Sequence, residues 1–555
     1  MSITSTGIAS GLDIESLVTQ LVSAEGAVES NRLTRSEAKF QAKLSAYGTL
    51  KGALSTFQTA IATAGDPESF QGKTATSSAP DSLTMTAGND ALVGEYDVNV
   101  SQLATKHSLY GGAYASESTV VGTGTLNFTL GTTTYNSSGD TYSFSQKADS
   151  TPVSITIDSS NNTLLGVRDA INAADAGVSA SIVNDGSYYR LIMTAQDTGT
   201  ENSLQVNVTD SDGNLTDGSG LSELNFNATT RQSTQLNAAQ NAAFTINGLA
   251  VSSASNTVTT ALSDVTLTLG AVTSSSVKLT VDNDLNTASN AVNNFVAGYN
   301  NLTGMINNLT AYSAVSQSGS LLTGDATTRT LQSGLRNILN QVVTEATGGH
   351  QTLAALGITT KVADGTLEVD SSKLNTALTS DQIGVGQVFS RLGSSNTNTL
   401  NFVSSTSSTE AGTYAVVFDG SSGTINGIAA SVDGNVLTGP VGSSVEGLKV
   451  EVVGGATGNI GTISFADGLS SRLDSLIDGL LADDGLLDAR SDGLEVSIDD
   501  IKEQRLDLDA RLLKIEARYR SQFLGMETLL SSLQSTSNFL SVAMQQFPEP
   551  LSFKK

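Results

Sequence analysis

Residues 494–533 read LEVSIDDIKEQRLDLDARLLKIEARYRSQFLGMETLLSSL. Within this stretch Leu494, Ile498, Ile501, Arg505, Leu508, Leu512, Ile515, Tyr519, Gln522, Met526, Leu529 and Leu533 step alternately by four and three residues. Charged side chains (Asp499, Lys502, Asp507, Arg511, Lys514, Glu516 and Arg518) occupy the other faces, and no proline follows until Pro548. An apolar stripe of period 3.5 that holds through five heptads predicts a coiled-coil helix; an ordinary bundle helix would follow a period of 3.6. Arg505 and Gln522 interrupt the stripe. They read either as registry devices, trading stability for alignment, or as points where the helices part.

A seam needs a partner, and the other end of the chain supplies one. Residues 12–61 read as helix, with Leu33, Phe40, Leu44, Tyr47, Leu54 and Ile61 spaced by 7, 4, 3, 7 and 7. Asp13 stands ahead of this run in a capping position. Between the two ends the period falls to two, as in Tyr96-Asp97-Val98-Asn99-Val100, Val153-Ser154-Ile155-Thr156-Ile157 and Val265-Thr266-Leu267-Thr268-Leu269. Such alternation, bounded by Gly, Asn, Asp and Ser clusters, predicts half-buried antiparallel strands.

The fold class is therefore mixed α and β and multidomain: a helical coiled-coil stalk formed by both termini, with inserted antiparallel β-rich head lobes. The expected divisions are 1–71 (flexible segment and stalk helix), 72–285 (head), 286–400 (helical stalk segment), 401–465 (an additional β lobe) and 466–555 (coil and flexible tail). The head splits into an inner part, 72–110 with 232–285, and an outer lobe, 111–231, with one helix near 164–176. Mobile ends are expected up to about residue 30 and beyond about 535, where the Pro548-Glu549-Pro550 tail has little to pack on. An internal echo links the two β regions. Thr245-Ile246-Asn247-Gly248-Leu249-Ala250 recurs as Thr424-Ile425-Asn426-Gly427-Ile428-Ala429, followed by Asn256 and Asn435 at similar distances. Asn-Gly suits a two-residue hairpin turn, so the two regions are expected to share a β subfold.

Composition narrows the chemistry. The chain has 555 residues, 28 Lys+Arg against 54 Asp+Glu, a formal charge of −26, no Cys, no Trp and two His. Residues 112–230 alone carry 3 basic and 13 acidic side chains. That field opposes binding to nucleic acid and to anionic lipid. No run reaches the roughly 18 apolar residues of a membrane span, so no membrane insertion is expected. Without Cys there is no disulfide, thiolate nucleophile or zinc–thiolate site. The opening segment lacks a basic n-region, its first basic residue being Arg32, so no cleavable signal is read.

The remaining motifs read as structure. Asp210-Ser211-Asp212-Gly213-Asn214 opens like a calcium loop, but Leu215 and Leu221 stand where Gly and Glu are required. Asp483-Asp484-Gly485 reads as a helix break. His107, near a strand end, and His350, in a loop, show no partner. No catalytic, cofactor-binding or metal-ligating residue is assigned, no cofactor is implied, and the chain is not read as an enzyme.

The chain also resembles a known family. Gly7-Ile8-Ala9-Ser10-Gly11-Leu12-Asp13-Ile14-Glu15, with Leu17-Val18, is similar to the start of the flagellar filament-capping proteins, the hook-associated protein 2 family. Asp169-Ala170-Ile171-Asn172 with Gly177-Val178-Ser179-Ala180, Phe295-Val296-Ala297-Gly298-Tyr299-Asn300, Leu356-Gly357-Ile358 and Asp364-Gly365-Thr366-Leu367 are similar to it further along, in order. The departure is the 401–465 region, which looks like an extra inserted lobe beyond the shorter members of the family. The resemblance implies a secreted, extracellular homo-oligomer, pentameric in the better-known members, at the distal tip of the filament. There it would prevent loss of exported flagellin and promote its folding and polymerisation, so that the filament elongates and the cell is motile. Implied partners are flagellin, the hook–filament junction proteins and a cytoplasmic export chaperone at the C-terminal region, with export through the flagellar type III apparatus. The alternatives are another hook–filament junction component, or a surface adhesin or carbohydrate-binding protein using Tyr110, Tyr114, Tyr135, Tyr142, Tyr188 and Tyr189.

Overall fold

The computed structural model describes residues 11–136, 138, 141–315 and 317–545. The Gly7–Ser10 portion of the opening motif and the Pro548-Glu549-Pro550 tail lie outside them. The chain forms two units, Met1–Ser69 with Ala288–Lys555, and Phe70–Thr287. In chain order the helices of two turns or more are α1 (Ile14–Gly65), α2 (Leu164–Ala173), α3 (Leu285–Thr310), α4 (Ala326–Leu339), α5 (Ser371–Ser380), α6 (Gln382–Phe389), α7 (Leu469–Leu481) and α8 (Leu486–Gln545).

In the first unit α1 and α8 run antiparallel. Asp13 caps α1, its carboxylate accepting from the Ser16 N–H at 3.1 Å. The segment up to residue 30, expected to be flexible, is helical from Ile14, and Ile14, Val18 and Gly26 are buried. Their spacing in multiples of four leads into Leu33 and continues the apolar stripe. The break between α7 and α8 falls where Asp483-Asp484-Gly485 predicts it, with Asp484 at φ +65°. From Tyr47 onward α1 enters a bundle. Phe57 meets Phe295 and Tyr299 of α3 at ring-centroid distances of 5.9 and 6.0 Å, and Phe295 meets Phe389 at 5.3 Å. Gly298 lets α3 come this close: a Cβ there would lie 2.7 Å from the Ala60 methyl.

Eight strands of this unit form one sheet: β9 (Leu392–Ser395), β10 (Leu400–Ser404), β11 (Gly412–Phe418), β12 (Gly423–Ile425), β13 (Ile428–Asp433), β14 (Val436–Thr438), β15 (Lys449–Val452) and β16 (Gly458–Ala466). The additional lobe thus spans 392–466 rather than 401–465, because Leu392–Ser395 pairs with the end of β16. It is fixed to the stalk. The Gln387 amide donates to the Ser464 carbonyl at 2.6 Å, and Arg391 pairs with Asp467 at 2.6 Å while reaching the Thr406 and Thr409 carbonyls.

The second unit holds an inner sandwich and an outer lobe with separate apolar cores. The sandwich uses β1 (Lys73–Ser77), β2 (Leu83–Ala87), β3 (Gly94–Gln102), β4 (Ala242–Ile246), β5 (Leu249–Ser253), β6 (Thr257–Leu262), β7 (Val265–Leu269) and β8 (Val277–Asn283). The outer lobe lies between β3 and β4 in the chain. Its strand Lys106–Tyr114 pairs with Thr234–Asn237 and Tyr189–Thr198, and Leu109 and Tyr114 join the outer core. The division therefore falls near residues 103 and 241, not 110 and 232. Periodicity could not show it, because only three residues separate the end of β3 at Gln102 from the next strand, Lys106–Tyr114, which belongs to the outer lobe.

Candidate assembly interface

The α1–α8 pair is built by the residues that the heptads single out. Leu494, Ile498, Ile501 and Leu508 are buried, and Leu512, Ile515 and Tyr519 are half-buried. Opposite them Leu33 forms a small core with Ile501 and Leu508, and Phe40 and Leu512 pack onto it. Tyr47, Leu54 and Ile61 are buried, whereas Phe40 and Leu44 are half-buried. Leu50, Phe57 and Ala64 are buried too. They fill the sevenfold gaps as the second apolar position of each heptad, so the spacing from Tyr47 is three and four throughout.

Polar contacts fix the alignment. In order along the pair, Glu15 faces Arg520, Gly26 faces Leu512, Glu37 faces Arg505 and Lys51 faces Asp488. The Arg505 guanidinium reaches Glu37 at 2.8 Å and the Thr34 hydroxyl at 3.0 Å, so it points at α1 and bridges the two helices. Arg520 binds Glu15 and, at 2.9 Å, Glu516. Its guanidinium holds the exposed Glu15 carboxyl below the usual carboxylate range. Lys51 meets Asp488 at 3.0 Å and lowers that carboxyl in the same way. At Gly26 a Cβ would sit 2.7 Å from Leu512 Cδ1, so the leucine packs where α1 has no side chain.

The seam then loses its cover. Gln522 is exposed, and so are Met526, Leu529 (63%) and Leu533 (57%), three of the residues read as seam. The cause is register: Glu15, in the first turn of α1, already faces Arg520, and no described residue of α1 lies across from Leu529 or Leu533. Beyond them Phe539, Leu540, Val542 and Met544 also stand exposed on α8. Among the described residues the apolar pattern of α8 is thus longer than its intramolecular partner.

The remaining motifs, in both units, serve structure. Asn172 clamps the backbone of Ala180, donating to its carbonyl at 2.9 Å and accepting from its N–H at 2.7 Å. Asn300 clamps Leu367 likewise at 2.9 and 2.6 Å. A side-chain amide carries both a donor and an acceptor, so it can make this two-way bond with a peptide. His107 has a partner after all: it is 2% exposed, and its Nδ1 accepts from the Leu204 N–H at 2.8 Å. Burial holds its pKa down at about 4. His350 lies 3.2 Å from the Ser380 hydroxyl. Asp210 accepts from the Ser222 N–H at 2.9 Å, consistent with a turn. Tyr135 and Tyr142 pair across strands at 4.7 Å, and Arg231 lies over Tyr142. Among the described residues no group of three or more His, Asp and Glu is placed to hold a metal ion. Among them, too, no helix is long and apolar enough to cross a membrane.

These features define a class: a multidomain protein whose terminal helices close into one stalk and whose β lobes are insertions. The comparisons narrow it. The family model for the flagellar hook-associated protein 2 N-terminus matches residues 10–107, and that for its C-terminus matches 239–535. Flagellar hook-associated protein 2 of Escherichia coli K12 is 32% identical over 98% of each chain. The B-type protein of Pseudomonas aeruginosa PAO1 is 36% identical over 68% of this chain and 78% of its own. A crystal structure of the D1-D2-D3 domains of the flagellar cap protein FliD from Escherichia coli matches with a TM-score of 0.54 and 29% identity. It covers 81% of this chain and 99% of that one. The chain belongs to the flagellar hook-associated protein 2 family.

Proposed function

We propose that this protein caps the distal end of the bacterial flagellar filament, as an extracellular ring of identical subunits beneath which exported flagellin folds and polymerises. Family membership and likeness to a solved cap protein support the reading. The observation that carries it is the apolar face of α8, which continues past Tyr519 without a described intramolecular partner. An amphipathic helix of this kind gains stability by laying its apolar face against other helices. In the assembled tip those helices belong to neighbouring copies and to flagellin, or to the hook–filament junction proteins before the first flagellin arrives. Before export the same face suits a cytoplasmic chaperone at the C-terminal region, which keeps it from aggregating until the chain passes through the type III apparatus. A closed ring, of five subunits as in the better-known members, also explains how the cap stays seated while subunits enter: many weak helix contacts can be exchanged one at a time.

Purified protein added to growing filaments of a strain lacking its own copy tests the reading. Restored elongation, with gold-labelled antibody at the filament ends, is expected. Label along the filament sides, or elongation that does not respond, contradicts it.

A further inference from the structure

The two β regions share far more than a hairpin. In the additional lobe the strand order is β9-β16-β11-β12-β13-β14-β15-β10. In the inner sandwich it is β1-β8-β3-β4-β5 in one sheet and β6-β7-β2 in the other. Joined at β5 and β6, the second order is the first with eight subtracted from every number. Registers agree as well. Val98 faces Ile246 as Val416 faces Ile425, and Leu83 faces Leu269 as Leu400 faces Val452.

Local details follow the same correspondence. In both regions an Asn-Gly turn has two positive φ angles, +49° and +83° at Asn247 and Gly248, +54° and +74° at Asn426 and Gly427. Both asparagines donate their N–H to the residue before the paired valine, Asp97 at 2.8 Å and Ala415 at 2.7 Å. Asn256 and Asn435 each accept, through the backbone carbonyl, from the matching strand at 2.8 Å. Gly94-Glu95-Tyr96 stands where Gly412-Thr413-Tyr414 stands. Each tyrosine hydroxyl donates to the carbonyl four residues earlier, Leu92 at 3.3 Å and Glu410 at 2.7 Å. Topology alone recurs by convergence. Shared register, turn chemistry and a repeated tyrosine tether together point to duplication of one unit.

Besides the division of the inner strands into two sheets, the regions differ in what joins their third and fourth strands. In the inner sandwich the whole outer lobe is inserted between β3 and β4; in the additional lobe four residues, Asp419-Gly420-Ser421-Ser422, join β11 to β12. That turn is self-contained, the Asp419 carboxylate accepting from the backbone N–H groups of Ser421 and Ser422 at 2.9 and 2.7 Å. We infer that residues 392–466 are a second copy of the inner head sandwich, and that the Asp419–Ser422 turn is the position at which this fold accepts an outer lobe. The chain thus carries two head platforms, one of them loaded. Domain insertion succeeds at such solvent-facing turns, where no core contact is interrupted.

Reciprocal exchange in the full-length chain tests this. One variant replaces residues 101–243 by Asp-Gly-Ser-Ser, joining Val100 to Phe244 as Phe418 is joined to Gly423. The other grafts residues 101–243 in place of 419–422. Hydrogen exchange read peptide by peptide should show protection within about threefold of the parent in the receiving strands of both variants. The transplanted outer lobe should stay protected as well. Loss of protection in either receiving sandwich overturns the duplication. A graft between Asn426 and Gly427 should unravel its hairpin; equal tolerance there would overturn the assignment of 419–422.

Discussion

Leu33 is the residue on which the upper stalk, the part of the α1–α8 pair between Glu15–Arg520 and Glu37–Arg505, turns. It is 1% exposed and sits against Ile501 and Leu508, with Phe40 and Leu512 closing the sides. Leu33→Ala removes three carbon atoms from this contact. At about 0.8 kcal/mol per buried methylene the transfer loss alone is about 2.4 kcal/mol. The cavity adds to it, but a two-helix pair can sink toward the gap more easily than a globular core can. A total of about 3 kcal/mol, at the low end for Leu→Ala, follows. In the opening equilibrium of the upper stalk this is about a hundredfold. Hydrogen exchange with mass spectrometry reads it directly: peptides covering residues 28–40 and 498–512 should exchange about a hundredfold faster, while those of the β lobes hold their rates. Leu529→Ala is the control, since a side chain already 63% exposed should cost less than about 0.5 kcal/mol. Similar exchange in the two variants would refute the pairing of α1 with α8 as the source of stalk stability.

Three further outcomes follow from the same contacts. Ile501→Asp, which buries a carboxylate with no partner, should cost several kcal/mol and expose the upper stalk to protease while the β lobes stay intact. In a double-mutant cycle, Arg505→Met and Glu37→Gln should couple by about 0.5–1 kcal/mol; additivity would mean that the bridge does not set the register. His107, at about 4 in the fold against its ordinary 6.5, should leave the outer lobe's stability unchanged above pH 6.5 and lower it progressively toward pH 4. Neutral His is required there, because protonated Nδ1 cannot accept from Leu204. The loss is about 3 kcal/mol in all, visible as a falling urea midpoint that His107→Gln makes flat across that range.

How far the sequence could be read varied with the range of the interactions. The α8 seam was legible because heptad spacing is local, and its inward face holds from Leu494 to Tyr519. Its end was not, because cover at Met526, Leu529 and Leu533 depends on where α1 begins, which is a matter of register between segments some 500 residues apart. Arg505 illustrates the same limit: its interruption of the stripe was visible, but Glu37, the residue it reaches, was not. Short helix α6 escaped notice since Ile383, Val385, Val388 and Phe389 cover it all round and leave no stripe. The echo of Asn247-Gly248 in Asn426-Gly427 was plain. The full correspondence between the two sandwiches was hidden, because the outer lobe separates β3 from the strand it pairs with.

The central claim is that the chain retains flagellin at the filament tip through its uncovered helix face. Partition of flagellin between filament and medium tests it most directly, in a strain lacking this chain and complemented either with the parent or with the Leu529→Ser/Leu533→Ser variant. The account predicts filament-bound flagellin with the parent. It predicts released flagellin and short filaments with the variant, produced and exported at parental level with its stalk still folded. Normal filaments in the uncomplemented strain, or from the variant, would contradict it.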